Sequence, residues 1–311
     1  MKIVFFGTPW FAAHILDYLI QQGVVPCAIV TKEDKAIGRS SKLVPPPVKQ
    51  VALEKALAVP ILQPSKASSE EVEKILAEYD ADLFVVVAYG EILRTNVLSL
   101  PKKGCINVHA SLLPLLRGAS PIQQSIIEGH AKTGVTIMEM VLKMDAGDII
   151  RTAEVPIAEQ TTAGELESAL CEASCPLLLE VIKDFEKGNI SKTPQNHEEA
   201  TYVKKILQTD CIIDWSKPAK TIHNLVRGLQ PRPGAWCEIT LNNAQKRLKI
   251  HKTTVVDRQG SPGELLEYSK KEILIAAGQD AVGVELLQLE GKKIMTAAEF
   301  TSGISEFKIL T

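Results

Sequence analysis

The sequence predicts an α/β half built on a parallel sheet, followed by a small β-barrel. Three observations carry that expectation. Up to about residue 188, short apolar runs alternate with segments of helical periodicity, the pattern of repeated βαβ units. Residues 188–199 are polar with Pro194 among them, which reads as a linker. Beyond residue 235 the apolar runs become short and closely spaced with turns between them, as in a barrel of short strands. The length of 311 residues suits two domains at a prior of roughly 150 residues each. The expected division is residues 1–188, a linker over 189–206, and a second domain over 207–311.

The elements follow in order. Ile3, Val4, Phe5 and Phe6 make the first strand, and Thr8 and Pro9 offer an N-cap and a first helical position. Phe11, Ala12, Ile15, Leu16 and Leu19 share one helical face that ends near Gly23. A second strand is expected over 24–30, a helix near 48–58, a strand at Ile61 and Leu62, and a helix opening at Ser68 with Glu71 as a capping box. Residues 83–87 read as a buried parallel strand, and 105–108, 134–138 and 149–157 as further strands. Ser120 with Gln123 suggests another capping box, and Thr162 with Glu165 caps a long helix to about Glu186. In the second half, 218–229 is helical. Residues 231–234 break the chain, and short strands follow at 236–241, 247–256, 264–268, 272–276 and 284–289.

Charged residues make up 23% of the chain, which excludes a wholly disordered protein. The formal net charge of −2 speaks against a strongly basic nucleic-acid coat protein. That total hides an asymmetry. Residues 1–200 hold 19 Lys and Arg against 25 Asp and Glu, and residues 201–311 hold 16 against 12. No run is long enough for a membrane span, and the apolar start is too short for a signal-peptide core, so a cytoplasmic protein is expected. Cys27, Cys105, Cys171, Cys175, Cys211 and Cys237 form no C-x-x-C, so reduced thiols and no metal site are expected. The first strand–helix turn, Gly7-Thr8-Pro9, has one glycine and lacks G-x-G-x-x-G, so no dinucleotide fingerprint is present.

The informative stretch runs from Gly104 to Pro114. Asn107 and His109 stand two apart at the end of an apolar strand, so both side chains leave one face. Strand ends are where open α/β sheets hold ligands. Asp145 follows later in a turn between two strand-like segments. This set suits acyl transfer to an amine. An Asn amide can donate to a tetrahedral oxyanion, a His can manage protons, and a carboxylate can orient the His or an ordered water and stabilise the cation. Ser111 lacks the G-x-S-x-G elbow of a nucleophile and reads as a loop hydroxyl that caps or binds substrate. Each residue also has a plain reading: a packed His, a turn Asn, a turn Asp.

Asn107-x-His109-x-Ser111-Leu112-Leu113-Pro114 followed by Asp145 resembles the signature of the formyltransferases that use 10-formyltetrahydrofolate. Further matching stretches are 6–9, Gly38-Arg39, 85–90, 117–123, 134–138, Asp145-x-Gly147-Asp148, 213–215 and 233–236. They narrow the resemblance to the branch that acts on initiator methionyl-tRNA. Ser120 stands where that family usually has Ala, and Leu115-Leu116 where it is often more polar or aromatic. The resemblance implies a Rossmann-like formyltransferase domain and a C-terminal OB-like tRNA-binding domain. It implies Asn107 at the oxyanion, His109 in proton transfer and Asp145 as its support. It places the folate near Glu91, Ile92, Leu93, Val141, Leu142, Lys143 and Met144, with Ser111, Leu112, Leu113 and Pro114 also on the folate site. A monomer with tRNA and folate as its partners, no metal and no membrane is expected.

Residues 31–49 hold five basic residues (Lys32, Lys35, Arg39, Lys42, Lys49) against Glu33 and Asp34, a local reversal of sign. A solvated surface loop is the plain reading. The resemblance implies a loop entering the tRNA acceptor arm, led by Arg39, with Lys32, Lys35 and Lys42. Lys204 and Lys205 are further tRNA contacts expected on the basic second half. Trp215 and Trp236 read as core or domain-interface residues before base-stacking ones. The principal rival keeps the chemistry and changes the amine: a sugar-nucleotide N-formyltransferase. That enzyme would lack the Arg39 loop. A non-catalytic RNA-binding protein would have no reason to hold Asn107, His109 and Asp145 together.

Overall fold

The computed structural model describes residues 1–36, 42–269, 272–304 and 306–310. Its contacts divide the chain into two compact units. One holds residues 1–118, 133–156 and 167–202, and the other holds 119–132, 157–166 and 203–311.

The first unit is built on a seven-stranded sheet. Its strands are β1 (Ile3–Gly7), β2 (Ala28–Val30), β3 (Ile61–Leu62), β4 (Leu83–Val87), β5 (Cys105–His109), β6 (Lys132–Glu139) and β7 (Ile149–Pro156), in the order β7-β6-β5-β4-β1-β2-β3. β1 pairs in parallel with β2 and β4, and β4 with β5. All five residues of β4 are buried, as the unbroken Leu-Phe-Val-Val-Val run requires of a strand covered on both faces. β6 runs antiparallel to β5, a direction that an apolar run alone does not encode. The second strand is shorter than expected and begins at Ala28. One face of the sheet packs Val4, Phe6, Val30, Phe84 and Val86 against Val72 and Leu76. The chain leaves β1 toward β2 on one side, while β4 lies on the other, which is the arrangement that opens a crevice at strand ends.

The helices are α1 (Trp10–Gln21), α2 (Pro47–Glu54), α3 (Glu70–Glu78), the short α4 (Thr95–Leu98), α5 (Pro121–Ile127) and α6 (Ala163–Lys187). Three expected caps are corrected. Thr8 does not cap α1; its hydroxyl donates to the Tyr89 carbonyl at 2.9 Å. Ser69, not Ser68, caps α3, and the Ser68 hydroxyl accepts from the Arg94 amide at 2.9 Å. Ser120 occupies the cap of α5 without bonding its amides, because its hydroxyl donates to the Lys204 carbonyl. The Thr162–Glu165 box does form, with Thr162 N to Glu165 Oε2 at 2.8 Å and Glu165 N to Thr162 Oγ1 at 3.3 Å.

The second unit carries α5, α7 (Ala219–Gly228), α8 (Ala297–Gly303) and a curled antiparallel sheet. Its strands are β8 (Ala235–Leu241), β9 (Ala244–Val256), β10 (Leu265–Tyr268), β11 (Ile273–Ala276), β12 (Ala281–Leu289), β13 (Met295–Thr296) and β14 (Lys308–Leu310). The order is β10-β11-β12-β9-β8-β14, with β13 beside β12. Register shifts at Lys252 bend β9, as bulges do in curled sheets. Trp215 and Trp236 sit in this unit's core with Ile239, Ile250, Val282 and Leu287, and Ile222 and Val226 of α7 close it. The Arg247 guanidinium lies 4.0 Å from the centre of the Trp236 ring. All six cysteines are free, and all but Cys27 are buried. Among the described residues no helix is long and apolar enough to cross a membrane.

Candidate active site

β5 delivers Asn107 and His109 to the strand end two residues apart, opposite Met138 and Thr136 of β6. His109 is buried, and its Nε2 lies 3.1 Å from the Leu116 carbonyl. A carbonyl only accepts, so Nε2 carries the hydrogen and the neutral ring keeps its lone pair on Nδ1. That nitrogen faces Asp145 Oδ2 at 3.8 Å. The carboxylate is therefore placed to meet a proton that arrives on Nδ1. Asp145 adopts a left-handed φ of +48°, which few non-glycine residues take, and its Oδ2 accepts from the Gly118 amide at 2.8 Å. The Asn107 carboxamide has no hydrogen-bond partner among the described residues, which leaves its N–H free for a ligand. Asn107, His109 and Asp145 all belong to the first unit.

The loop after β5 is held by its own hydroxyls. Ser111 is fully buried and donates to the Leu115 carbonyl at 2.6 Å, so it shapes this loop and does not present a hydroxyl to solvent. Thr136 Oγ1 donates to the Ser111 carbonyl at 2.7 Å and accepts from the Leu113 amide at 3.1 Å. Leu113 is buried, and Leu112 and Pro114 are half-buried. A Cβ on Gly134 would lie 2.5 Å from Leu112 Cδ2, so a glycine there makes room for that side chain.

The other expected folate residues divide by exposure. Ile92 is 72% exposed, Leu142 64%, Met144 55% and Val141 44%, and Lys143 is exposed as well. Leu93 is buried. Glu91 turns to its own unit: Oε1 accepts from the Ala67 amide at 2.8 Å, and Oε2 pairs with Lys32. Lys32, expected to contact tRNA, thus meets an expected folate residue, and its ammonium also lies 5.1 Å from the Tyr89 ring centre. Lys49 pairs with Asp34 at 2.9 Å, with Gln63 bridging them. Lys32 and Lys49 are therefore neutralised within the unit. Lys35 lies on a two-residue ladder with Val44 opposite, and Lys42 is exposed. Arg39 and Gly38 lie outside the described residues. Lys204 and Lys205 are exposed on the second unit.

Sequence reasoning missed Gln195. It lies in the stretch read as a linker, yet it is buried and reaches both Arg117 and the Asp145 turn. A single amide in a polar segment carries no local signal of burial. Among the described residues no group of three His, Cys, Asp or Glu could hold a metal ion.

Residues 1–182 match the formyl transferase family, and residues 205–305 match the formyl transferase C-terminal domain. The methionyl-tRNA formyltransferase of Protochlamydia amoebophila is 49% identical over 98% of this chain and 96% of its own length. The chain belongs to the methionyl-tRNA formyltransferase family. Family members of the same name from Bacillus licheniformis and Chlamydia abortus are 42% and 40% identical, and these alignments span 97% and 99% of the chain and 95% and 97% of the relatives. Solved structures share the fold at lower identity. An N-formyltransferase from Helicobacter canadensis, in complex with folinic acid and dTDP-3-aminofucose, aligns at a TM-score of 0.69 and 18% identity over 91% of this chain and 99% of that one. HypX from Aquifex aeolicus, in complex with tetrahydrofolic acid, aligns at 0.64 and 18% over 96% of this chain and 46% of that one.

Proposed function

We infer that this chain transfers the formyl group of 10-formyltetrahydrofolate to the α-amino group of methionine charged on initiator tRNA, for translation initiation. The observation that carries the reading is His109 Nδ1 facing Asp145 Oδ2 at the end of β5, with Asn107 two residues before His109 on the same strand, in a chain 40–49% identical to methionyl-tRNA formyltransferases.

The residues have separate tasks. The amine nitrogen bonds to the formyl carbon, and the bond from that carbon to N10 of the folate breaks. Asn107 donates to the oxygen that becomes negative as the carbon turns tetrahedral. His109 accepts the proton that the amine loses, on Nδ1, and returns it to N10 of the leaving tetrahydrofolate. Asp145 stabilises the imidazolium that exists between those two transfers. The folate is a co-substrate with flat ring faces, and Ile92, Val141, Leu142 and Met144 supply exposed apolar side chains to pack against them.

The tRNA contacts follow from charge. Lys204 and Lys205 are exposed on the second unit, and Lys35 and Lys42, exposed on the first, precede and follow Arg39 in the sequence. They position the acceptor arm through phosphates, and the curled antiparallel sheet of 207–311 serves as the OB-like tRNA-binding part. We place the reaction in the cytoplasm, where initiator tRNA is charged, and expect a monomer.

The test is formylation of charged initiator tRNA with 10-formyltetrahydrofolate as donor. Transfer to methionine is expected. A preparation that leaves the tRNA untouched and formylates a dTDP-linked amino sugar would overturn the reading.

A further inference from the structure

We propose that Gln195 is a positioning residue that, with Arg117 and Gly118, holds Asp145 in place against His109. It rests on the formyl-transfer reading of the same site.

A ring of contacts supports it. The Gln195 amide nitrogen donates to the backbone carbonyls of Asp145 at 2.9 Å and of Gly147 at 2.6 Å. Its Oε1 accepts from Arg117, at 3.2 Å from Nε and 2.6 Å from Nη2. The next residue, Gly118, donates its amide to Asp145 Oδ2 at 2.8 Å. Asp145 is thus gripped at both ends, by Gln195 at its main chain and by the Arg117-Gly118 segment at its carboxylate. The grip matters because Asp145 is a non-glycine residue in the left-handed region, a conformation that persists only where its surroundings enforce it.

Arg117 shows what the ring costs the fold. Its side chain is fully buried, and among the described residues its side-chain partners include no carboxylate: Gln195, the Tyr202 hydroxyl at 3.2 Å and His197 Nδ1 at 2.9 Å. A guanidinium only donates, so His197 accepts there in its neutral form. A buried cation among neutral acceptors is an expensive support, and the residue it supports most directly is Gln195. Gln195 suits the task because one planar amide accepts from the guanidinium and donates to two carbonyls, and it does not titrate.

The test uses the full chain with Gln195→Met, which removes both functions, and Gln195→Glu, which keeps an acceptor for Arg117 and loses the donor to Asp145 and Gly147. Steady-state turnover, KM for both substrates and hydrogen exchange at the Gly118 amide are measured. Both variants should lose kcat on the order of 10- to 100-fold, as a displaced catalytic group does, with KM changed by less than about twofold. Gly118 should exchange faster. In an Asp145→Asn background the same replacements should cost at most about twofold more, because they act through the group already removed. Equal losses in both backgrounds, or unchanged kcat and Gly118 protection in Gln195→Glu, overturn the inference and leave Gln195 a merely structural amide. A wild-type chain that transfers no formyl group sinks the functional reading instead, and the Gly118 exchange still decides whether the brace exists.

Discussion

The Glu139 backbone passes so close to Gly147 that a Cβ on Gly147 would lie 1.9 Å from the Glu139 carbonyl oxygen. No rotamer relieves a clash between Cβ and a main chain, so Gly147→Ala must push the turn away from β6. The expected cost is about 1–3 kcal/mol, read from the urea midpoint. Asp145 lies two residues earlier in that turn, so kcat should fall as well. A variant with the wild-type midpoint would show that the turn yields freely.

Charge and shape at Asp145 can be separated. In Asp145→Asn the side-chain oxygen can still accept from Gly118, and Asn tolerates the left-handed φ. The fold should survive while kcat drops on the order of 100-fold or more, through loss of the negative charge opposite His109. His109→Ala should cost on the order of 10²- to 10⁴-fold. Asn107→Ala should cost about 10²- to 10³-fold in kcat. Retained tRNA binding in all three, by filter binding, separates lost chemistry from misfolding.

The second unit should weaken in acid. Burial pushes the His223 pKa below its ordinary value, against the opposing hydrogen bond to the Glu159 carbonyl, with Arg227 and Lys220 nearby lowering it further. Its Nδ1 faces Thr253 Oγ1 at 3.0 Å. Burial lowers His251 in the same way. The unfolded chain therefore binds these protons more readily than the folded one. The stability is fully present above about pH 6.5, where the unfolded histidines titrate, and declines as pH falls below it toward the folded values. Thermal midpoints from pH 8 to 5 should drop along that course, and His223→Gln should flatten it. An unaltered slope in the variant would assign the effect elsewhere.

Salt dependence reads the tRNA contacts. If Lys204 and Lys205 each neutralise a phosphate, the double variant Lys204→Ala/Lys205→Ala loses about 1.4 to 1.8 units from the slope of log K against log salt. A slope equal to that of the wild type removes both residues from the interface.

Much of the fold was legible before the structure, and the exceptions share one cause. β4, β5 and α6 were readable because their signals are local: an unbroken apolar run, a strand that ends in Asn-x-His, a Thr162–Glu165 box. Thr8, Ser68 and Ser120 carry equally good cap chemistry, but partners distant in sequence, at Tyr89, Arg94 and Lys204, claim their hydroxyls. The direction of β6 depends on the path of the connection before it. Asn107, His109 and Asp145 were legible as residue types and spacing, and the structure brings His109 and Asp145 within 3.8 Å. Gln195 was not legible, because its burial depends on a segment anchored by the Ile149–Thr193 bridge, far apart in the chain.

The second unit is assembled from three separate lengths of chain, 119–132, 157–166 and 203–311. Helices α5 and α7 pack so closely that a Cβ on Gly228 would lie 2.7 Å from Ile127. No single cut can free this unit whole. A gene fragment beginning near residue 207 encodes the sheet but omits the helix that covers α7. A protease nick near residue 200 should leave both products held together until denaturant is added. The unit can therefore be truncated or exchanged whole only together with the chain that threads through it.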